Sequence, residues 1–139
     1  MPYTVLKLAI HPPIVVVHFS GELNGDVYFK TALKVADLVR DIPGKVYRIT
    51  DCSNARLSLL DMLDMVAHMT RGWQGTASDP RIISLMVLSG GNSSLAAQYL
   101  NRTWEGWRQI RVFPTMAEAL ACARGPISWE TEEPVRVGT

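Results

Sequence analysis

A chain of 139 residues with 47% hydrophobic and 19% charged residues has the make-up of one globular domain, long enough to bury about two-thirds of the surface its unfolded form exposes. A net charge of +1 excludes a general electrostatic pull toward nucleic acid or anionic membranes, and the longest apolar run, Ile14 to Val17 extended by Phe19, falls well short of the ~20 residues a membrane-spanning helix needs. Cys52 and Cys122 lie outside any CxxC spacing and the first residues hold no basic-then-apolar export signal, so a reducing cytoplasmic setting is expected, with both thiols as small core residues.

Residues 3–10 (YTVLKLAI) alternate imperfectly and predict a strand, closed by the His11-Pro12-Pro13 turn. The denser β-branched run 14–20 (IVVVHFS) predicts a second, largely buried strand pairing back as a hairpin. Within it His18 alternates with valines and is expected to be a satisfied core or edge residue. Gly21-Glu22-Leu23-Asn24-Gly25 is the break, with Asn24 as helix N-cap. From Asp26 to Ile42 the period becomes 3.6: Tyr28, Phe29, Ala32, Val35, Ala36 and Val39 share one face, and Asp26, Lys30, Lys34, Asp37 and Asp41 the other. After Pro43-Gly44, residues 45–52 (KVYRITDC) predict a third strand and Ser53-Asn54-Ala55-Arg56 a loop.

Ser58 then caps a second helix at roughly 59–71, with Asp61 at the capping-box position. Leu59, Leu63, Val66 and Thr70 mark its core side, and Asp61, Asp64, His68 and Arg71 its wet side. Residues 81–89 (RIISLMVLS) predict a central fourth strand. A third helix is expected at about 94–107, a short fifth strand over Ile110 to Phe113, and a last helix opened by the Thr115–Glu118 capping box and running to about Arg124. Residues 125–139, with two prolines and three glutamates, are expected to be a C-terminal tail outside a domain spanning 1–124. The order β-β-α-β-α-β-α-β-α predicts an α/β fold: a single mixed sheet of about five strands, an N-terminal hairpin followed by right-handed βα units, covered by about four helices.

That order and three strings resemble the STAS domain family, particularly its SpoIIAA-like branch of anti-sigma-factor antagonists. Ile14–Asn24 (IVVVHFSGELN) is similar to the family's second strand and Gly-Glu-Leu turn, Lys45–Asp51 (KVYRITD) to its third strand, and Ile110–Ala121 (IRVFPTMAEALA) to its closing strand, turn and helix. In the antagonists an Asp-Ser-Ser-Gly-type string opens the helix after the third strand and carries a phosphorylatable serine. Here the place reads Leu57-Ser58-Leu59-Leu60, so Ser58 matches by position while the flanking Asp and Gly are missing. The resemblance implies a non-enzymatic regulatory or protein-interaction module.

Several residues stand out as candidate sites. Phosphorylation of Ser58 at a helix N-terminus would add roughly −2 charge where backbone N–H groups favour an anion; the other reading is a plain N-cap. Ser53, beside Asp51, is a second candidate for the same role. Met62, Met65 and Met69 widen the apolar arc of the second helix and suit either a partner surface, with Asp61 and Asp64 beside them, or core packing. Gly90, Gly91 and Ser93 sit between a strand and a helix, where α/β sheets bind anions, but lack the Walker lysine and the GxGxxG spacing. Asp61, Asp64 and His68 lie at i, i+3 and i+7 of the second helix, a spacing that could offer two ligands to a metal, but the same stripe holds Arg71 and suits a solvated face better. No metal and no cofactor are expected.

Three functions are weighed. The first is a protein-binding regulatory module acting through the second helix and adjacent loops, with an unidentified regulator as partner and a homodimer as a further option. The second is a small-molecule or lipid binder with an apolar pocket beside that helix. The third is a hydrolase using Ser58 or Asp51; a serine-histidine-acid set of Ser58, His68 and Asp61 is disfavoured because residues on one helix rarely converge on a shared reacting atom.

Overall fold

The computed structural model describes residues 3–10, 12–56, 58, 60, 61, 64, 65, 67, 75, 76, 79–88 and 111–125. Five strands form one sheet in sequence order: β1 (Tyr3–Ile10), β2 (Pro13–Glu22), β3 (Val46–Arg56), β4 (Ile82–Val87) and β5 (Arg111–Phe113). β1 and β2 pair antiparallel across the proline turn, with Pro13 at the first strand position, where its missing N–H costs no ladder bond. β2, β3, β4 and β5 run parallel, so the expected mixed sheet with an N-terminal hairpin is the one observed.

Two complete helices are described, α1 (Gly25–Val39) and α2 (Met116–Arg124). The expected four therefore reduce to two among the described residues. Leu60, Asp61, Asp64, Met65 and Ala67 are helical where the second helix was expected, and the expected third helix at 94–107 lies outside the described residues, as does the tail at 126–139. No described helix is long and apolar enough to cross a membrane.

The caps follow the sequence. Asn24 Oδ1 accepts from Val27 N at 3.0 Å, and Thr115 Oγ1 accepts from Glu118 N at 3.2 Å. α1 stops at Val39, three residues before Ile42. Arg40 turns back on Asp37 O, and the Arg81 guanidinium reaches across to the carbonyls of Val39 and Ile42, satisfying helix-end acceptors that further helix would otherwise use.

The sheet has an apolar layer on each face. Val15, Val17 and Phe19 of β2 point to the α1 side with Tyr28, Val35 and Val39 of α1, Met86 and Met65. Ile14 and Val16 of β2, with Tyr47, Ile49, Leu85 and Val87, pack under Ala119 and Ala123 of α2. Small alanines let α2 sit close to the strands. Cys52 is buried in the first layer as expected, whereas Cys122 is only half-buried at the edge of the second.

One charge is sealed inside. Arg48 of β3 is 0% exposed. Its Nε donates to Thr50 Oγ1 at 2.9 Å, one terminal nitrogen donates to Gly75 O, the other reaches Thr31 Oγ1 at 3.4 Å, and the guanidinium lies 4.6 Å from the Tyr28 ring centroid. Burial pulls its pKa down from the ordinary value, against smaller opposing effects of Tyr28 and Cys52. Gly75 has φ +81, and a Cβ there would strike the Ala32 carbonyl of α1, so only glycine brings this backbone close enough to meet Arg48.

Candidate functional site

Strand alternation places Ile14, Val16 and His18 of β2 in one column and Tyr47, Ile49 and Asp51 of β3 in the next, on the α2 face. Both columns are apolar until their last member. His18 and Asp51 are register partners, and in that row the sheet continues through Val87 and Phe113. The polar pair thus ends the apolar layer at the carboxyl end of the parallel strands, where open α/β sheets place ligands.

His18 Nδ1 lies 2.7 Å from Asp51 Oδ2, with side-chain exposures of 42% for the histidine and 7% for the aspartate. The other carboxylate oxygen accepts twice from Ser53, from its N at 3.0 Å and its Oγ at 2.7 Å. A β-bulge makes this possible. His18 pairs with Asp51 but Ser20 pairs with Asn54, so β3 carries one extra residue between these rungs, and its backbone can fold Ser53 onto the Asp51 side chain.

Past the bulge β3 stays paired, from Ser20↔Asn54 to Glu22↔Arg56. This corrects two expectations. Ser53 to Arg56 is strand, not loop, and Gly21-Glu22 belongs to β2. Local composition points to a turn, but the parallel ladder continues because the neighbouring strand supplies its hydrogen bonds.

Chemically, a carboxylate accepts only, so Nδ1 of His18 carries the proton and the lone pair of the neutral ring sits on Nε2. The Ser53 hydroxyl donates to the carboxylate and not to the imidazole, so it is not activated as a triad serine would be. Next in β3, Cys52 points the other way into the core. Its thiol is pushed up to about 12, mainly by burial and further by Asp51, which keeps it an unreactive thiol.

On the helical stretch after β3, Ser58 Oγ accepts from Asp61 N at 3.1 Å, the geometry of an N-cap. Asp64 Oδ2 accepts from Gly25 N at 2.8 Å, tying this stretch to the start of α1. Met65 is 1% exposed and belongs to the α1-side core. It is therefore removed from the expected partner surface: the arc turns its Met65 edge inward because α1 and the sheet bury it there. Leu60, by contrast, is 76% exposed. Met62, Met69, His68, Gly90, Gly91 and Ser93 lie outside the described residues.

No set of three or more His, Cys, Asp or Glu side chains that could hold a metal occurs among the described residues. A cavity of about 440 Å³ lies at the opposite end of the strands, lined by Leu33, Ala36, Asp37, Arg40, Asp79 and Arg81 among others. The expected apolar pocket beside the second helix falls largely on residues outside the described ones.

His18, expected as a satisfied core or edge residue, does have a partner, but the sequence alone did not pair it with Asp51. The available signal was positional: His18 and Asp51 each interrupt an apolar every-second-residue column of their strand.

No family model matches the chain, and no curated protein matches it. Among solved structures it is similar to the crystal structure of an uncharacterized protein from the DUF3478 family with a SpoIIAA-like fold, from Shewanella loihica PV-4, at a TM-score of 0.57 and 13% identity, over 87% of this chain and 91% of that one. The likeness is one of fold. The five-stranded mixed sheet with α1 and α2 is a SpoIIAA-like fold.

Proposed function

We propose that this chain is a non-enzymatic regulatory domain of the cytoplasm that binds a protein partner at the carboxyl end of its sheet. The observation that carries the reading is the hydrogen-bond direction at Ser53: its hydroxyl is spent on Asp51, so Ser53 shapes a surface and is not an activated serine nucleophile. The SpoIIAA-like fold supports it as an architecture suited to docking. The partner face comprises Ser53, Ser58, Leu60 and Asp61, with Met62 and Met69 as further members. Leu60 supplies an exposed apolar contact and the two serines are the positions where added charge would alter docking.

A photo-reactive amino acid placed at Leu60, and separately at the exposed Leu33 of α1, tests this in the native cells. The expected result is a cross-linked adduct of one defined mass from position 60 that position 33 does not give. Equal labelling from both positions, or none from position 60, removes the reading.

A further inference from the structure

We propose that His18 is a phosphoryl-acceptor site, taking the phosphoryl group of an N-phosphorylated donor on Nε2. The inference concerns the ring's own chemistry and stands apart from the partner-binding reading. It rests on three features of one side chain. Nδ1 is held 2.7 Å from a carboxylate that is itself nearly buried and fixed by two further donors from Ser53, so the ring's orientation and tautomer are set before any reaction. The side chain is nonetheless 42% exposed. And the pair stands in a row that the pattern Ile14-Val16 and Tyr47-Ile49 would fill with apolar residues, where polar groups cost stability unless they do something else.

The balance of the step follows. The Nε2 lone pair forms the new N–P bond as the donor's P–N bond breaks, and the leaving nitrogen keeps that bond's electron pair. Nδ1 retains its proton, so the substituted ring becomes positively charged, and Asp51 is placed to stabilise that charge as it develops. The neighbouring hydroxyl is not the acceptor, because Ser53 Oγ–H donates to the same carboxylate and has no base to remove its proton. The product would place a phosphoryl dianion at the carboxyl end of the sheet, beside Ser53.

The test uses the full chain with potassium phosphoramidate as the probe. The chain has three histidines, His11, His18 and His68, so each molecule carries its own controls. Peptide mapping under non-acidic conditions is expected to find His18 modified about tenfold faster than either of the others, with ³¹P–¹H correlation assigning the phosphoryl group to Nε2. Asp51→Asn is expected to slow His18 about tenfold and to spread the label over both ring nitrogens in a chain whose circular dichroism shows it still folded. Ser53→Ala should leave the isomer unchanged. A His18 rate equal to that of His11 and His68, a label on Nδ1 in the unsubstituted chain, or an Asp51→Asn profile identical to it would each overturn the proposal.

Discussion

Arg48 and Asp51 of β3 are charged residues three apart, and the sheet sends them to opposite faces. Arg48 is sealed on the α1 side among hydroxyls, a carbonyl and an aromatic ring, with no acid paired to it among the described residues. Asp51 sits on the α2 side where the apolar layer ends, with a half-exposed histidine and a serine. Arginine survives enclosure because its planar group offers five donors to neutral acceptors and its charge is spread over the guanidinium. The aspartate keeps a route to water through His18. The first arrangement fastens β3 to α1 and to the Gly75 turn, so it serves the fold. The second leaves an imidazole 42% exposed and is the one available for function.

That contrast can be broken most sharply at Arg48. Arg48→Ala leaves a cavity and strands Thr50, Gly75 O and Thr31 without their donor, for an expected loss of about 4 kcal/mol in urea unfolding; a loss below about 1 kcal/mol would remove the distinction between the two regions. Gly75→Ala, which drives a Cβ into the α1 backbone at a positive φ, should cost about 3 kcal/mol by the same measurement.

The third prediction is in pH. Cys52 in the folded chain titrates near 12, against an ordinary value of 9.0. The unfolded chain therefore loses this proton first, and stability falls as pH rises above 9, by up to about 1.4 kcal/mol per pH unit from this group. The Cys52→Ala chain should lack that added slope between pH 9 and 11. Asp51→Asn sharpens the other side of the comparison. A single amide oxygen cannot serve the three donors that the carboxylate accepts, so a loss of about 1–2 kcal/mol is expected, smaller than at Arg48 because water can reach His18. Smallest is Ser58→Ala, which removes a cap and should cost about 1 kcal/mol, seen as faster hydrogen exchange at the Asp61 amide with the β3 amides unchanged.

Much of the scaffold was legible in the chain itself. The His11-Pro12-Pro13 turn between two β-rich runs, the 3.6 period from Tyr28 to Val39, and the caps Asn24, Ser58 and Thr115 are all local signals: each depends on residues a few positions apart, and dihedral preference and side-chain-to-backbone hydrogen bonding act at that range. The parallel order of β2 to β5 followed from the alternation of strand and helix, since a right-handed crossover leaves few other arrangements.

What only the tertiary structure decided lies at long range. His18 and Asp51 are 33 residues apart and meet because β2 and β3 are in register there; Arg48 and Gly75 meet across 27. The extension of β3 to Arg56 required a neighbouring strand to hold it, and Met65 was assigned to the core by the surface it faces, not by its own side chain. Hydrophobic pattern specifies which face of an element turns inward. It does not specify which polar residues of different elements will share a rung, because that is set by strand register and by a single-residue bulge.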